Sequence, residues 1–157
     1  MRMIAKLVST LVLLASCNGE EEPGLFDPNG VWSISDTWTT GDCDFTGSYL
    51  TQFEIAGAPG AQDFVGDVVI LGVTYDGVAA EIVSTANGGG VDGLAVSEGA
   101  PDEYGTTIRI EVYFGYGIFA ENPNVVFGSG YTLVQWTYND GSTTVCAQDF
   151  TSAGTRT

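Results

Sequence analysis

Residues 106–119 alternate between two kinds of side chain, and this alternation constrains the fold more than any other feature of the chain. Every second residue is apolar or aromatic, in the order Ile108, Ile110, Val112, Phe114, Tyr116 and Ile118. The residues between them include Arg109, Glu111 and glycines. Successive side chains of a β-strand point to opposite faces of its sheet. The pattern therefore predicts a long strand with one face in a hydrophobic core.

Further segments have the composition of strands, because they are rich in β-branched and aromatic residues and are separated by turn residues. They are residues 31–39, 45–55, 64–75, 78–86, 91–96, 131–139 and 142–150. Asp76-Gly77 and Asp140-Gly141 stand between pairs of these segments and predict hairpins, since a type I′ turn needs φ > 0 at both central positions. Residues 56–60 and 88–90 are glycine-rich and are predicted loops.

About eight strands with short links predict an all-β fold, an antiparallel up-and-down meander. The meander forms either a small closed barrel or a flattened barrel or sandwich. No stretch beyond the N-terminus has a helical period, and no internal repeat is found. Residues 30–157 are therefore predicted to be a single all-β domain with one core.

The N-terminus has the order of an export signal. Arg2 and Lys6 precede an apolar run at 7–14, which is shorter than the roughly 20 residues that span a bilayer. Leu14-Ala15-Ser16-Cys17 then resembles the lipobox of bacterial lipoproteins. That resemblance implies a signal peptide at 1–16, cleavage before Cys17 and acyl chains, such as palmitate, on Cys17. The alternative is an ordinary secretory signal with a cysteine near the cut.

Residues 17–29 are predicted to be the lipidated cysteine and an acidic tether. Glu20, Glu21 and Glu22 repel one another, and Pro23 and Pro28 prevent regular pairing. Residue 18 is asparagine and not the aspartate that retains many lipoproteins in the inner membrane. The resemblance therefore favours the outer membrane.

The charge of the mature chain excludes nucleic acid as a partner. With 20 acidic and two basic residues after Cys17, its net charge is −18. Phosphate backbones would be repelled, and no Lys/Arg stripe is present to bind them. Anionic headgroups would be repelled as well, so membrane attachment is predicted to come from the acyl chains alone.

Two cysteines follow Cys17, and an even pair in an exported chain predicts a disulfide between Cys43 and Cys146. Such a bond would join the region after the first strand to the last strand. These strands are neighbours in a closed meander, so the pair favours the barrel.

Gly30-Val31-Trp32 at the start of the first strand is similar to the Gly-x-Trp motif of lipocalins and related calycin barrels. That resemblance implies that Trp32 closes one end of a barrel, that Arg156 packs over it, and that a small apolar ligand is carried inside. The chain departs from the family because it has no Thr-Asp-x-Tyr motif and no predicted C-terminal helix.

The mature chain contains no histidine and no lysine, so no catalytic residue, metal site or cofactor is predicted. Only carboxylates could catalyse hydrolysis, as in glycoside hydrolases. The carboxylates that interrupt strand patterns are Asp36, Glu54, Asp67, Glu81 and Glu111. Asp36 alone shares a face with Trp32, Ile34 and Trp38, which predicts a raised pKa or a polar partner. Alternatively, four loop residues could supply oxygen ligands to a calcium ion: Asp27, Asn29, Asp42 and Asp44.

The aromatic residues on the predicted inward faces are the candidate lining of a ligand pocket. They are Trp32, Trp38, Phe53, Phe114, Tyr116, Trp136 and Tyr138. Tyr113 and Phe119 fall on the opposite face and predict a contact surface.

These features predict a lipid-anchored envelope lipoprotein whose β domain is a non-enzymatic binding or structural module. Its partner would be a small apolar or glycan ligand, or an envelope protein. One alternative is a lipocalin-like carrier of a small apolar ligand, and another is a glycoside hydrolase that uses carboxylates alone.

Overall fold

The computed structural model describes residues 25–57, 63–64, 68–75 and 77–157, with the backbone alone at 63, 64, 68 and 77. The predicted signal peptide, Cys17, most of the predicted tether, Asp67 and Asp76 lie outside the described residues. The described residues include no helix that could span a bilayer.

The described residues form one antiparallel sheet of ten strands. They are β1 (Gly30–Gly41), β2 (Ser48–Ala56), β3 (Asp63–Phe64), β4 (Val68–Ile70), β5 (Val73–Tyr75), β6 (Gly77–Thr85), β7 (Gly88–Glu98), β8 (Thr107–Phe119), β9 (Val125–Thr137) and β10 (Thr143–Arg156). The order across the sheet is β5-β4-β2-β1-β10-β9-β8-β7-β6, with β3 also paired to β2. The predicted all-β antiparallel fold is confirmed.

The sheet curls into a half-barrel, which brings β5 against β7. The first strand pairs with the last along most of its length, from Trp32 opposite Arg156 to Trp38 opposite Phe150. The two outermost strands of the sheet, β5 and β6, are consecutive in the chain. The path is therefore that of a small or flattened barrel whose seam lies between β5 and β6.

The segment 64–75, which the sequence predicts as one strand, is divided into β3, β4 and β5. Leu71 and Gly72 form a two-residue turn between β4 and β5, with φ of 53° and 77°. A left-handed conformation costs a non-glycine residue about 1–2 kcal/mol. Leu71 is buried, and burial of a leucine side chain contributes about 1.5–3 kcal/mol, which offsets this cost.

The predicted loop at 88–90 is wrong, because these glycines begin β7 and pair with both β6 and β8. A Cβ on Gly90 would lie 2.0 Å from the carbonyl oxygen of Tyr116. The backbone of β8 thus approaches β7 more closely than any side chain would allow, and glycine is needed in a regular strand here.

The hairpin predicted at Asp140-Gly141 is present between β9 and β10. It is closed by a loop at 138–142 in which Gly141 has a φ of 81°, while Asp140 does not have a positive φ. The turn is therefore longer than the predicted type I′ turn. Both strands also extend beyond their predicted ends, to Val125 and Arg156, because their ladders with β8 and β1 continue there.

Candidate ligand-binding site

One end of the barrel is closed by Trp32. Its side chain is almost fully buried, and its indole Nε1 donates a hydrogen bond to the Pro28 carbonyl at 3.1 Å. The guanidinium carbon of Arg156 lies 4.9 Å from the centroid of the indole ring, and Nη2 of Arg156 donates to the Asp27 carbonyl at 3.2 Å. The packing that the lipocalin resemblance implies for Trp32 and Arg156 is therefore present, as a cation–π contact.

Residues 26–29, which the sequence assigns to the tether, pack onto this closed end. The backbone N–H of Phe26 donates to the Thr85 carbonyl at 2.9 Å, and the Ser84 hydroxyl donates to the carbonyl of Phe26. The Asn29 amide exchanges two hydrogen bonds with the backbone of Gly57, at 2.9 and 3.0 Å. This end of the segment is thus part of the folded domain.

The predicted disulfide lies at the other end of β1. Cys43 and Cys146 are bonded, with their Cα atoms 5.2 Å apart and a sequence separation of 103. It links the β1–β2 connection to β10, as predicted. We call this end of the barrel, opposite the end closed by Trp32, the mouth.

The four candidate calcium ligands do not meet. Asp27 precedes β1 and Asp42 follows it, and a strand of this length spans roughly 36 Å at about 3.3 Å per residue. Asp42 Oδ1 accepts a hydrogen bond from the Ala147 N–H at 2.6 Å. The sulfur atoms near Asp42 belong to the disulfide and are not available as metal ligands.

A cavity of about 320 Å³ lies inside the mouth, and we call it the mouth cavity. Its lining is mainly apolar and aromatic and comes from five strands and two connections. The lining residues are Trp38, Phe45, Tyr49, Leu71, Val73, Tyr75, Ile108, Ile110, Thr132, Val134 and Trp136. Trp38 packs against two other aromatic residues of the lining. Its ring centroid lies 5.2 Å from that of Phe45 and 6.3 Å from that of Tyr49.

Only part of the predicted pocket lines this cavity. Trp38 and Trp136 do so, whereas Tyr138 lies in the β9–β10 connection and is 40% exposed. The remaining aromatic residues of the prediction are buried in the core below: Trp32, Phe53, Phe114 and Tyr116. The ring of Tyr116 packs against those of Phe53 and Phe114, with centroids 5.4 and 5.3 Å apart. These side chains fill the interior of the narrow barrel where they lie.

Several lining residues were not predicted. Tyr49 and Thr132 have the same alternation as the buried residues Phe53 and Val134 of their strands, and this signal could have identified them. Phe45 lies in a connection, and Leu71 reaches the cavity only through its unusual turn. No strand pattern identifies either residue.

A group of buried polar side chains lies beneath the cavity, and we call Asp36, Thr51, Tyr116 and Ser152 the polar cluster. Asp36 is fully buried, and its Oδ2 accepts hydrogen bonds from the Thr51 hydroxyl and, at 3.2 Å, from the Tyr116 hydroxyl. Thr51 in turn accepts the Leu71 N–H at 2.9 Å. The cluster thus holds the turn that forms part of the cavity lining.

The other half of the Asp36 carboxyl lies on the side of Ser152, whose hydroxyl can donate a hydrogen bond. Asp36 Oδ1 and Ser152 Oγ are both buried, and neither has a hydrogen-bond partner among the described residues. Ser152 is the residue opposite Asp36 on β10.

Burial raises the pKa of Asp36 above its usual value of 3.8, and its polar neighbours Ser152, Thr51 and Tyr116 offset only part of this effect. Burial also raises the pKa of Tyr75 to about 12, and that of Tyr116 well above its usual value. Both phenols are therefore neutral donors at neutral pH. The raised pKa and the polar partners of Asp36 are those that the sequence predicts.

The raised pKa of Asp36 predicts a loss of stability with increasing pH. Above pH 3.8 the unfolded chain releases the Asp36 proton while the folded protein still binds it, so the free energy of unfolding falls as pH rises towards the folded pKa. In Asp36→Asn the side-chain oxygen can still accept hydrogen bonds from Thr51 and Tyr116, and the side chain cannot ionise. We expect this variant to lack the fall and to exceed the wild type at neutral pH by on the order of 1 kcal/mol.

Thermal unfolding from about pH 3 to about pH 8 measures this effect. Asp92→Asn is the matched control, since Asp92 is exposed on the outer face of β7 and should leave the pH dependence of the wild type in place. Parallel curves for the wild type and Asp36→Asn would contradict the prediction.

The carboxylates considered for hydrolysis do not share a cleft with Asp36. By strand alternation Glu54, Glu81 and Glu111 point outward, and Glu111 Oε1 bonds Arg109 at 2.8 Å. Asp67 lies outside the described residues. The pair of facing carboxylates that glycoside hydrolysis requires is therefore not formed by Asp36 and these described residues.

A wider depression of about 530 Å³ lies on the outer face, over the glycines of β7 and β8. It is bounded by exposed residues such as Phe119, which is 56% exposed. Tyr113, the other residue of the predicted contact surface, stacks on Tyr131 with centroids 4.5 Å apart. The mouth cavity is the better candidate for a small ligand, because its walls are mainly apolar and aromatic and carry no charged side chain.

Comparison of the chain with family models, with curated proteins and with solved structures gives no match. The chemistry of the mouth cavity is therefore the basis of the function proposed below.

Proposed function

We propose that this protein is a lipid-anchored binding module of the bacterial envelope that holds a small apolar ligand in its mouth cavity. The observation that carries the proposal is the aromatic-lined cavity of about 320 Å³, at the end of the barrel opposite Trp32 and Arg156. Ligand pockets measure about 300–1,000 Å³ and are lined mainly by apolar and aromatic side chains. The cavity is at the small end of this range, which favours a short chain or a single ring system.

The proposed location depends on the N-terminal sequence. The lipobox resemblance at Leu14-Ala15-Ser16-Cys17 supports acylation of Cys17, and Asn18 favours the outer membrane. A disulfide is stable in the oxidising compartment that this location implies. The absence of histidine and lysine from the mature sequence supports a binding role over a catalytic one.

Filling the cavity should abolish ligand binding. Ile108 lines the mouth cavity and is 42% exposed, so Ile108→Trp places an indole in the mouth without overpacking the core. We expect the wild type to bind the neutral fluorescent probe N-phenyl-1-naphthylamine saturably with one site. We expect Ile108→Trp to bind it at least about tenfold more weakly, a loss of about 1.4 kcal/mol.

Val145→Trp is the matched control, because Val145 is 54% exposed on the outer face of β10. This variant should bind the probe as the wild type does. Absence of saturable binding in the wild type, or equal loss in both variants, would refute the proposed function.

A further inference from the structure

The lining of the mouth cavity includes a buried hydroxyl that has no hydrogen-bond partner among the described residues. Thr132 is 2% exposed, lies on β9 in the cavity lining, and its Oγ1 has no hydrogen-bond partner among the described residues. A buried hydroxyl without a partner is unfavourable, and nearly all such groups in native proteins are paired with protein, water or ligand. Thr132 therefore marks the point where a bound molecule would present a polar atom.

The surroundings of the cavity exclude a negative charge on that molecule. None of the lining residues is basic. The two arginines of the described chain are both engaged elsewhere: Arg109 bonds Glu98 and Glu111 on the outer face, at 3.1 and 2.8 Å, and Arg156 covers Trp32 at the closed end. A carboxylate in the cavity would lose its hydration without gaining a cation, which is strongly unfavourable.

We propose that the mouth cavity selects uncharged apolar molecules that carry a single hydrogen-bonding group, and that Thr132 binds this group. The inference deepens the proposed function by naming the class of ligand. Alcohols, aldehydes and ketones with a short apolar body fit this class, and fatty-acid anions do not. The hydroxyl of Thr132 both donates and accepts, so it can bind a ligand hydroxyl or a ligand carbonyl.

Two probes of equal chain length, 1-octanol and octanoate, separate the chemistry of the headgroup from that of the chain. A change in the intensity or wavelength of the intrinsic fluorescence reports their binding, because Trp38 and Trp136 line the cavity. At neutral pH we expect octanol to bind at least about tenfold more tightly than octanoate. Equal or tighter binding of octanoate would overturn the inference.

Thr132→Val retains the shape of the side chain and removes its hydroxyl. We expect octanol to bind this variant about 3- to 10-fold more weakly, the effect of one neutral hydrogen bond. Binding of naphthalene, which carries no hydrogen-bonding group, should be unchanged and also shows that the variant is folded. Thr151→Val is the matched control, since it makes the same substitution on the exposed outer face of β10 and should leave the octanol affinity unchanged.

If octanol binds Thr132→Val as it binds the wild type, or if Thr151→Val shows an equal loss, the assignment of Thr132 is wrong. Either result leaves the proposed function standing as long as the naphthylamine probe binds. Absence of probe binding in the wild type refutes the proposed function itself, so the two failures are distinct.

Discussion

Replacing Cys43 and Cys146 together with alanine is expected to lower the free energy of unfolding by about 4–5 kcal/mol. The disulfide closes a loop with a sequence separation of 103, and a cross-link over such a distance removes a large part of the conformational entropy of the unfolded chain. The loss is comparable with the whole stability of many domains, which is about 5–15 kcal/mol. Urea unfolding of the wild-type and double-variant full-length chains measures it.

Both cysteines lie near the mouth, where Cys146 is buried and Cys43 is half-buried. Reduction of the wild type should reproduce the loss without any change of sequence. A midpoint shift equivalent to less than about 1 kcal/mol, or two thiols of the native protein that react with an alkylating agent, would contradict the prediction.

Cys17→Ser is expected to abolish acylation of the full-length chain when it is expressed in a Gram-negative bacterium. Diacylglycerol is attached through a thioether, and serine offers no sulfur. Each buried CH2 of an acyl chain contributes about 0.8 kcal/mol to membrane binding, so loss of two or three chains removes the anchor entirely. Labelling with radioactive palmitate and the mass of the mature N-terminus measure the outcome.

The Cys43→Ala/Cys146→Ala double variant is the control for this experiment, because it lacks two thiols and retains Cys17. It should incorporate palmitate as the wild type does. Incorporation into Cys17→Ser, or a native wild-type chain that still begins at Met1 without acyl chains, would overturn the proposed anchor.

Strand alternation predicted the fold class because it depends only on which face of each strand is buried. Residues 106–119 and β8 coincide almost fully, and the outward Arg109 and inward Phe114 lie as their positions in the pattern require. The disulfide and the contact of Arg156 with Trp32 were predicted from motifs that depend on side-chain chemistry. None of these predictions depends on the conformation of the turns.

The extent of the cavity could not be predicted in this way. Alternation places Trp32, Phe114 and Trp136 on the same inner face, but it does not give their height along the barrel. The height depends on the register of each ladder, which is set across pairs of strands. Leu71 illustrates a second limit, since a buried leucine with positive φ contradicts local preference and is held by Thr51 from another strand.

The docking of residues 26–29 at the closed end has a consequence for orientation. Residues 18–24 separate the proposed acylated Cys17 from Leu25, and this length of chain reaches at most about 29 Å when fully extended. If Cys17 is acylated as proposed, the Trp32 end lies no farther than this from the bilayer, and the mouth is at the end of the barrel remote from the attachment point.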